Sequence, residues 1–211
     1  MGVYDQEQGA ARENLCRFLS ACYYQPGPEF GEEMVFDSML KAAAGIGPDL
    51  AMRARRLGEE FLAEDPESLL IDYTRLFLGP SHIIAKPYGS VWLEGRKDRL
   101  EDSTMAVLEL YREGGFEMGG DFRELPDHVA AELEFLYLLI YRENEALRIG
   151  GQESLNATSG IKRRFLDDHL GLWIGPFTAA VRGGARSGFY RELANLTDRF
   201  VKMEARAGRG N

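Results

Sequence analysis

Apolar residues recur every three or four positions along almost the whole chain, and no run alternates apolar with polar residues for long enough to make a strand. Ala11, Leu15, Phe18, Leu19 and Cys22 share one face of this pattern, as do Leu50, Ala54, Leu57 and Phe61. The rhythm returns at Val129, Leu133, Leu136 and Ile140, at Leu166, Leu170, Trp173 and Phe177, and at Phe189, Leu193, Leu196, Phe200 and Met203. Each set makes a helix with one apolar stripe to bury, so the expected fold class is all-α. Breaks at Pro26-Gly27-Pro28, Gly45 to Pro48, Asp65-Pro66, Gly114-Gly115, Gly150-Gly151 and Gly183-Gly184 divide the chain into about nine helices without a fixed repeat. The expectation is one globular helical domain over 1–211. Within it we expect an N-terminal lobe over about 7–113, a hinge at 114–124 and a C-terminal lobe over about 125–204.

A chain of 211 residues can bury a sizeable core without disulfides or a metal. Its 34 acidic residues against 25 basic ones, a net charge of −9, argue against nucleic-acid binding, which needs a basic footprint. Cys16 and Cys22 stand six apart, which on a helix turns the thiols away from each other, so no disulfide is expected; no CxxC occurs. The first residues lack a basic stretch followed by an apolar core, and the apolar run Phe135 to Tyr141 is far too short to cross a bilayer. A reduced, cytoplasmic protein without stable membrane insertion is expected.

Two segments stand out from the helical rhythm. In Glu124-Leu125-Pro126-Asp127-His128, polar residues run straight into the apolar stretch from Val129 to Tyr141. Pro126 suits the first position of that helix and Asp127 its first turn, where the dipole favours an acid. His128 can take either protonation state near neutral pH. An acid and an imidazole at an exposed helix mouth would suit a cationic or hydrogen-bonding ligand, although the same residues also serve as a plain helix cap. The second segment runs from Gly79 to about Arg99, broken by Pro80, Pro87, Gly89 and Gly95. A loop of about 20 residues in a compact domain is often functional, and this one carries Tyr88 and Trp92, aromatics favoured at binding surfaces.

These segments carry a resemblance. Tyr73-x-x-Leu76-Phe77-x-Gly79, then Pro87-Tyr88-Gly89-Ser90-Val91-Trp92, then Glu124-x-Pro126-Asp127-His128 are similar to motifs of the TorD/DmsD/NarJ family of redox-enzyme maturation chaperones. So is the C-terminal run Phe165, His169, Trp173, Phe177, and the likeness extends over about 10–203. The resemblance implies an all-α, non-catalytic protein with no cofactor of its own. It implies binding, in the cytoplasm, of the twin-arginine leader and the apo form of a molybdoenzyme catalytic subunit, held back from export until cofactor is loaded. For some members it also implies contact with the enzyme body and weak guanine-nucleotide binding. Carried over by motif, the leader-binding positions are Pro126, Asp127, His128, Tyr88, Gly89, Ser90 and Trp92, supported by Tyr73, Leu76 and Phe77. Tyr88 departs from relatives with Trp there, and Asp127 is a single acid where other members show Asp-Asp-His.

The residue chemistry fits such a ligand. Guanidinium groups are read by carboxylates and by aromatic faces, for which Asp127, Glu124 and Glu94, and Tyr88 and Trp92, are candidates. Leu76, Phe77 and Leu125 could line a groove for an apolar segment. An enzyme has less support: the three histidines His82, His128 and His169 fall in no metal or nucleophile motif, and Glu124, His128 and Glu132 form at most an incomplete ligand set. His169 and Trp173 follow the apolar rhythm and read as core. The alternative function is a helical scaffold or assembly factor that binds the folded body of a redox-enzyme subunit. The glycine-rich connection from Gly114 to Gly120 allows a monomer or a domain-exchanged dimer.

Overall fold

The rhythm is realised as helix after helix in the computed structural model, which describes residues 6–27, 34–79, 83–93, 103–119 and 124–208. Among these residues there is no sheet, and the fold is all-α. In chain order the helices are α1 (Gln6–Ala21), α2 (Val35–Ile46), α3 (Pro48–Ala63), α4 (Pro66–Tyr73), α5 (Gly89–Leu93), α6 (Ser103–Glu113), α7 (Val129–Ile149), α8 (Gln152–Phe165), α9 (Gly171–Gly184) and α10 (Gly188–Ala207). Two π-helical turns interrupt the series. Thr74–Leu78 prolongs α4, and Leu166–Leu170 joins α8 to α9. Counted as unbroken rods, the described helices number nine.

The breaks have local causes. Asp65 caps α4 by accepting the Ser68 N–H at 2.9 Å, with Pro66 in the first turn, where its missing N–H costs nothing. Gly150 ends α7 with φ of 70°, a conformation that side chains with a Cβ disfavour. Helix α1 lies on α7 and α2, α10 lies on α3 and α9, and α8 packs beside α7. Small residues on α1 bring it close to α7: Ser20 Oγ donates to the Ala130 carbonyl at 2.9 Å and Cys16 Sγ to that of Leu133 at 3.3 Å. One core results, running from Leu15 to Val201 and including the stripes expected above apart from Ala11, with Phe18, Phe61 and Met203 only partly covered. Both cysteines are free and buried. Arg12 of α1 holds Glu204 of α10 at 2.7 Å through Nε, and Lys162 of α8 bonds both Glu204 and Glu143 of α7. Burial works against the Glu204 carboxylate, but these cations hold it below the usual carboxylate range.

The π turns depart from the expected rhythm. The second puts one extra residue into what reads as a continuous helix from Leu166 to Phe177. Glycine is required just after it, because a Cβ on Gly171 would stand 2.1 Å from the Leu166 carbonyl oxygen. Such turns gather at functional sites, and here each leads into the motif residues. The long segment after Gly79 also differs from expectation, since it contains the short helix α5. Glu94 and His82 lie outside the described residues, as do 120–123 of the expected hinge. No helix among the described residues is long and apolar enough to cross a membrane.

Candidate functional site

The two segments singled out in the sequence meet. Residues Pro87 to Ser90 form a strap laid antiparallel against Asp127 to Val129, with a single β-bridge between Tyr88 and His128. Gly89 N–H donates to the Asp127 carbonyl at 2.9 Å and Val129 N–H to the Pro87 carbonyl at 2.8 Å. The Tyr88 and His128 rings meet edge to face, 5.4 Å apart. A third link anchors the start of α5: the Ser90 N–H donates to Asp127 Oδ2 at 2.8 Å.

This geometry corrects the expected helix start. Pro126 is not the first residue of α7. It occupies the second position of a tight turn closed by the His128 N–H on the Leu125 carbonyl at 3.0 Å, a place that wants the same φ as the first turn of a helix. The Pro126 carbonyl accepts from the Tyr111 hydroxyl at 2.8 Å. The cap of α7 is His128, whose Nδ1 accepts the Ala130 N–H at 3.2 Å. Asp127 therefore caps a different helix, α5, across 37 residues of chain.

The helix mouth is not exposed either. Asp127 is 0% and His128 4% accessible. Burial depresses the His128 imidazole to about 4, against the pull of Glu124 and Asp127, so it is neutral rather than poised near pH 7. Asp127 Oδ1 has no hydrogen-bond partner among the described residues. The accessible carboxylate is Glu124, whose Oε2 accepts from the Tyr88 hydroxyl at 2.6 Å. Burial and this carboxylate raise the Tyr88 phenol, which stays protonated as a donor. Tyr73 is pushed up to about 12, by burial first and then by the charge of Glu124.

The other expected residues divide into strap and floor. Trp92 is half-buried; its Nε1 donates to the Lys86 carbonyl at 2.8 Å and its ring lies edge-on to Phe177 at 6.3 Å. Leu76 and Phe77 are buried in the first π turn, with Tyr73 against Phe77 at 5.2 Å. The Ala85 N–H donates to the Leu76 carbonyl at 2.9 Å and ties the strap to this turn. Leu125, beside Glu124, is 54% exposed.

Sequence reasoning missed a buried group beneath the strap. Glu132, fully buried, faces His169 Nε2 at 2.7 Å through Oε1 and accepts from Trp173 Nε1 at 3.0 Å through Oε2. It does not join Glu124 and His128 as a ligand set, and no group of three or more His, Cys, Asp or Glu among the described residues is arranged to hold a metal. Burial lifts the Glu132 carboxyl above its usual range. Burial also opposes a charge on His169, but the carboxylate outweighs this and holds the imidazole above its ordinary value. One signal was available: Glu132, three after Val129 and four before Leu136, falls on the apolar face of α7, and a buried acid needs a partner.

Comparison with known proteins adds to this geometry. The family described as nitrate reductase delta subunit matches residues 43–179. The chain is 30% identical over 138 residues to chaperone protein TorD of Photobacterium profundum, covering 65% of this chain and 62% of that protein. It is 31% identical over 135 residues to the perchlorate reductase assembly chaperone protein of Dechloromonas aromatica, covering 62% and 58%. A shorter stretch of 73 residues is 37% identical to the Tat proofreading chaperone DmsD of Salmonella typhi, covering 35% and 36%. The chain thus spans less than two thirds of the length of these relatives. Its fold is similar to the crystal structure of a protein of Archaeoglobus fulgidus assigned as a redox enzyme maturation protein, with a TM-score of 0.52 at 22% identity over 90% of this chain and 93% of that one.

Proposed function

The chain belongs to the nitrate reductase delta subunit family, and on that premise we propose that it is a non-catalytic, cytoplasmic chaperone that binds the twin-arginine leader of a molybdenum-cofactor oxidoreductase and holds the apo enzyme until cofactor is loaded. The observation that carries this reading is the junction of strap and turn. There an exposed carboxylate, Glu124, stands beside Tyr88, with the exposed Leu125 next to it and Trp92 beyond the strap in α5. A guanidinium forms paired hydrogen bonds with a carboxylate and stacks on aromatic faces. The apolar part of a leader needs an apolar surface, which Leu125 begins. Pro126 shapes the turn, Gly89 and Ser90 set the strap, and Asp127 and His128 hold the two segments together from inside. Tyr73, Leu76 and Phe77 form the floor.

The test is isothermal titration with leader peptides of molybdoenzymes from the same organism, each paired with a control in which both arginines are Lys. Saturable binding to one leader, lost in the Lys control, is the expected result, because Lys lacks the planar fork. Glu124→Gln and Trp92→Ala should each weaken it about tenfold, the equivalent of about 1.4 kcal/mol. If no leader binds, the reading fails and recognition of an enzyme's folded body takes its place. We propose the two-lobe division alongside: exchange about the 114–124 connection would give a dimer, and a strictly monomeric mass by light scattering at micromolar concentration counts against it.

A further inference from the structure

The strap does not rest on ordinary apolar packing. Gly89, its central residue, sits directly on the buried Glu132–His169–Trp173 group. A Cβ added there would lie 2.9 Å from Trp173 Nε1, 3.0 Å from Glu132 Oε1 and 3.1 Å from Trp173 Cε2. Such distances leave no room for a side chain, and two of the three atoms belong to an indole packed edge to face on Phe177 at 5.4 Å. The carboxylate beneath cannot swing aside, since each oxygen has its own partner, His169 on one side and Trp173 on the other. His169 is delivered to it by the second π turn, whose ring also stacks on Phe165 at 6.0 Å. Above Gly89, three direct hydrogen bonds assemble the site: Gly89 N–H to Asp127, Ser90 N–H to Asp127, and Tyr88 to Glu124. A displacement of about 1 Å would break them.

We propose that Glu132, His169 and Trp173 are positioning residues for the leader site: a hydrogen-bonded platform that sets the height of Gly89, and through it the placement of Tyr88, Ser90 and Trp92. The platform touches no ligand. It acts on the strap, and the inference rests on the leader-binding reading above for its functional consequence.

The platform is tested by second-site rescue with the full chain. Gly89→Ala lifts the strap and should weaken leader binding at least tenfold. It should also speed hydrogen exchange at the Ser90 and Val129 amides. Trp173→Leu ends at Cδ and so places no atom where Nε1 and Cε2, the indole atoms that the new methyl would meet, now stand. Alone it should lower affinity several-fold, because the strap loses its support. In the Gly89→Ala/Trp173→Leu protein, amide protection and affinity should both recover above those of Gly89→Ala, even though the double variant melts no higher. A merely structural role predicts losses that add, with the double variant the weakest in every readout, and that result would overturn the platform. Exchange at Ser90 needs no leader, which separates the two ideas. Rescue of protection in a protein that binds no leader keeps the platform and discards the leader reading. Leader binding without rescue does the reverse.

Discussion

Asp72 and Asp127 are both buried aspartates that tie a distant loop to the start of a helix, yet they are used differently. Asp72 Oδ2 accepts three hydrogen bonds, from the N–H groups of Arg186 and Ser187 and from the Ser187 hydroxyl, at 2.9 to 3.0 Å. Its Oδ1 accepts from Arg75 at 2.6 Å, and Arg75 also bonds the Gly184 carbonyl. Every oxygen is matched, and the result is a bolt that fixes the entry to α10. The Asp127 carboxylate accepts one bond, from Ser90, and its other oxygen has no partner among the described residues. A buried carboxylate normally has all its acceptors used, and incomplete satisfaction marks places where something besides folding is at stake. The comparison separates a carboxylate that holds the fold from one that holds a site.

The same isosteric change at both positions should expose the difference most strongly. Asp72→Asn turns an amide N–H₂ toward either Arg75 or the Ser187 donors and leaves a guanidinium without its counter-charge. The expected cost is about 4 kcal/mol in denaturant unfolding, as for breaking a buried ion pair from one side. If Asp72→Asn unfolds within about 1 kcal/mol of the parent, the bolt does not exist.

The neighbours of the two aspartates give a pH test of roughly 3 kcal/mol. His128, next to Asp127, has a folded pKa depressed to about 4 from 6.5. The unfolded chain therefore binds more protons between those values, so this contribution to stability is present above pH 6.5 and is lost as pH falls to about 4. A drop of about 2.5 pH units at about 1.4 kcal/mol each sets the magnitude. Tyr73, next to Asp72, is pushed up to about 12 and does not titrate in this window. His128→Asn keeps a side-chain acceptor for the helix cap and should flatten the acid side of the stability profile, whereas Tyr73→Phe should not. An unchanged acid slope in His128→Asn would remove this distinction.

The difference between the two aspartates is invisible at the level of sequence, and the reason is physical. The helices are legible because their cause is local: a stripe every three or four residues, a cap at Asp65, a glycine at Gly150. The motif residues are legible as types, and Tyr88, Gly89, Ser90, Asp127 and His128 do come together. Their bonding is not legible, because each decisive partner is distant in the chain: Ser90 for Asp127, His169 and Trp173 for Glu132, Ser187 for Asp72. Pro126 was misplaced because a helix start and a tight turn ask the same φ of proline. The π turns were missed because one extra residue scarcely disturbs a 3.6-residue rhythm. His128 reads as a switch in sequence and as a neutral cap in the fold, since burial rather than residue type sets its charge.

Asp127→Asn should cost about 1 kcal/mol or less, the worth of a single hydrogen bond, since the amide oxygen can still accept from Ser90 and a buried charge is removed. Leader affinity should nevertheless fall, because the strap is then held by a weaker, uncharged acceptor. Thermal melts beside titrations check both halves. A large loss of stability would make Asp127 a second bolt and erase the contrast with Asp72.

The smallest expected change in stability is at Tyr88, and its sign in binding is the sharpest outcome. The hydroxyl of Tyr88 donates to Glu124 at 2.6 Å, so in the closed junction one oxygen of the accessible carboxylate is already engaged. A guanidinium that takes both oxygens shares Oε2 with this donor, which draws on the same charge and weakens the fork. Tyr88→Phe removes the donor but keeps the aromatic ring beside His128 and its face toward the ligand. Because the pair is partly exposed, its loss should cost only about 0.5 kcal/mol of folding stability. Leader affinity should then rise two- to fivefold, about 0.4 to 1 kcal/mol, the only gain expected from any substitution around Asp127. A fall in affinity with stability unchanged would mean that the hydroxyl itself contacts the leader. Tyr88 would then belong to the ligand's hydrogen-bond set and not compete with the ligand for Glu124.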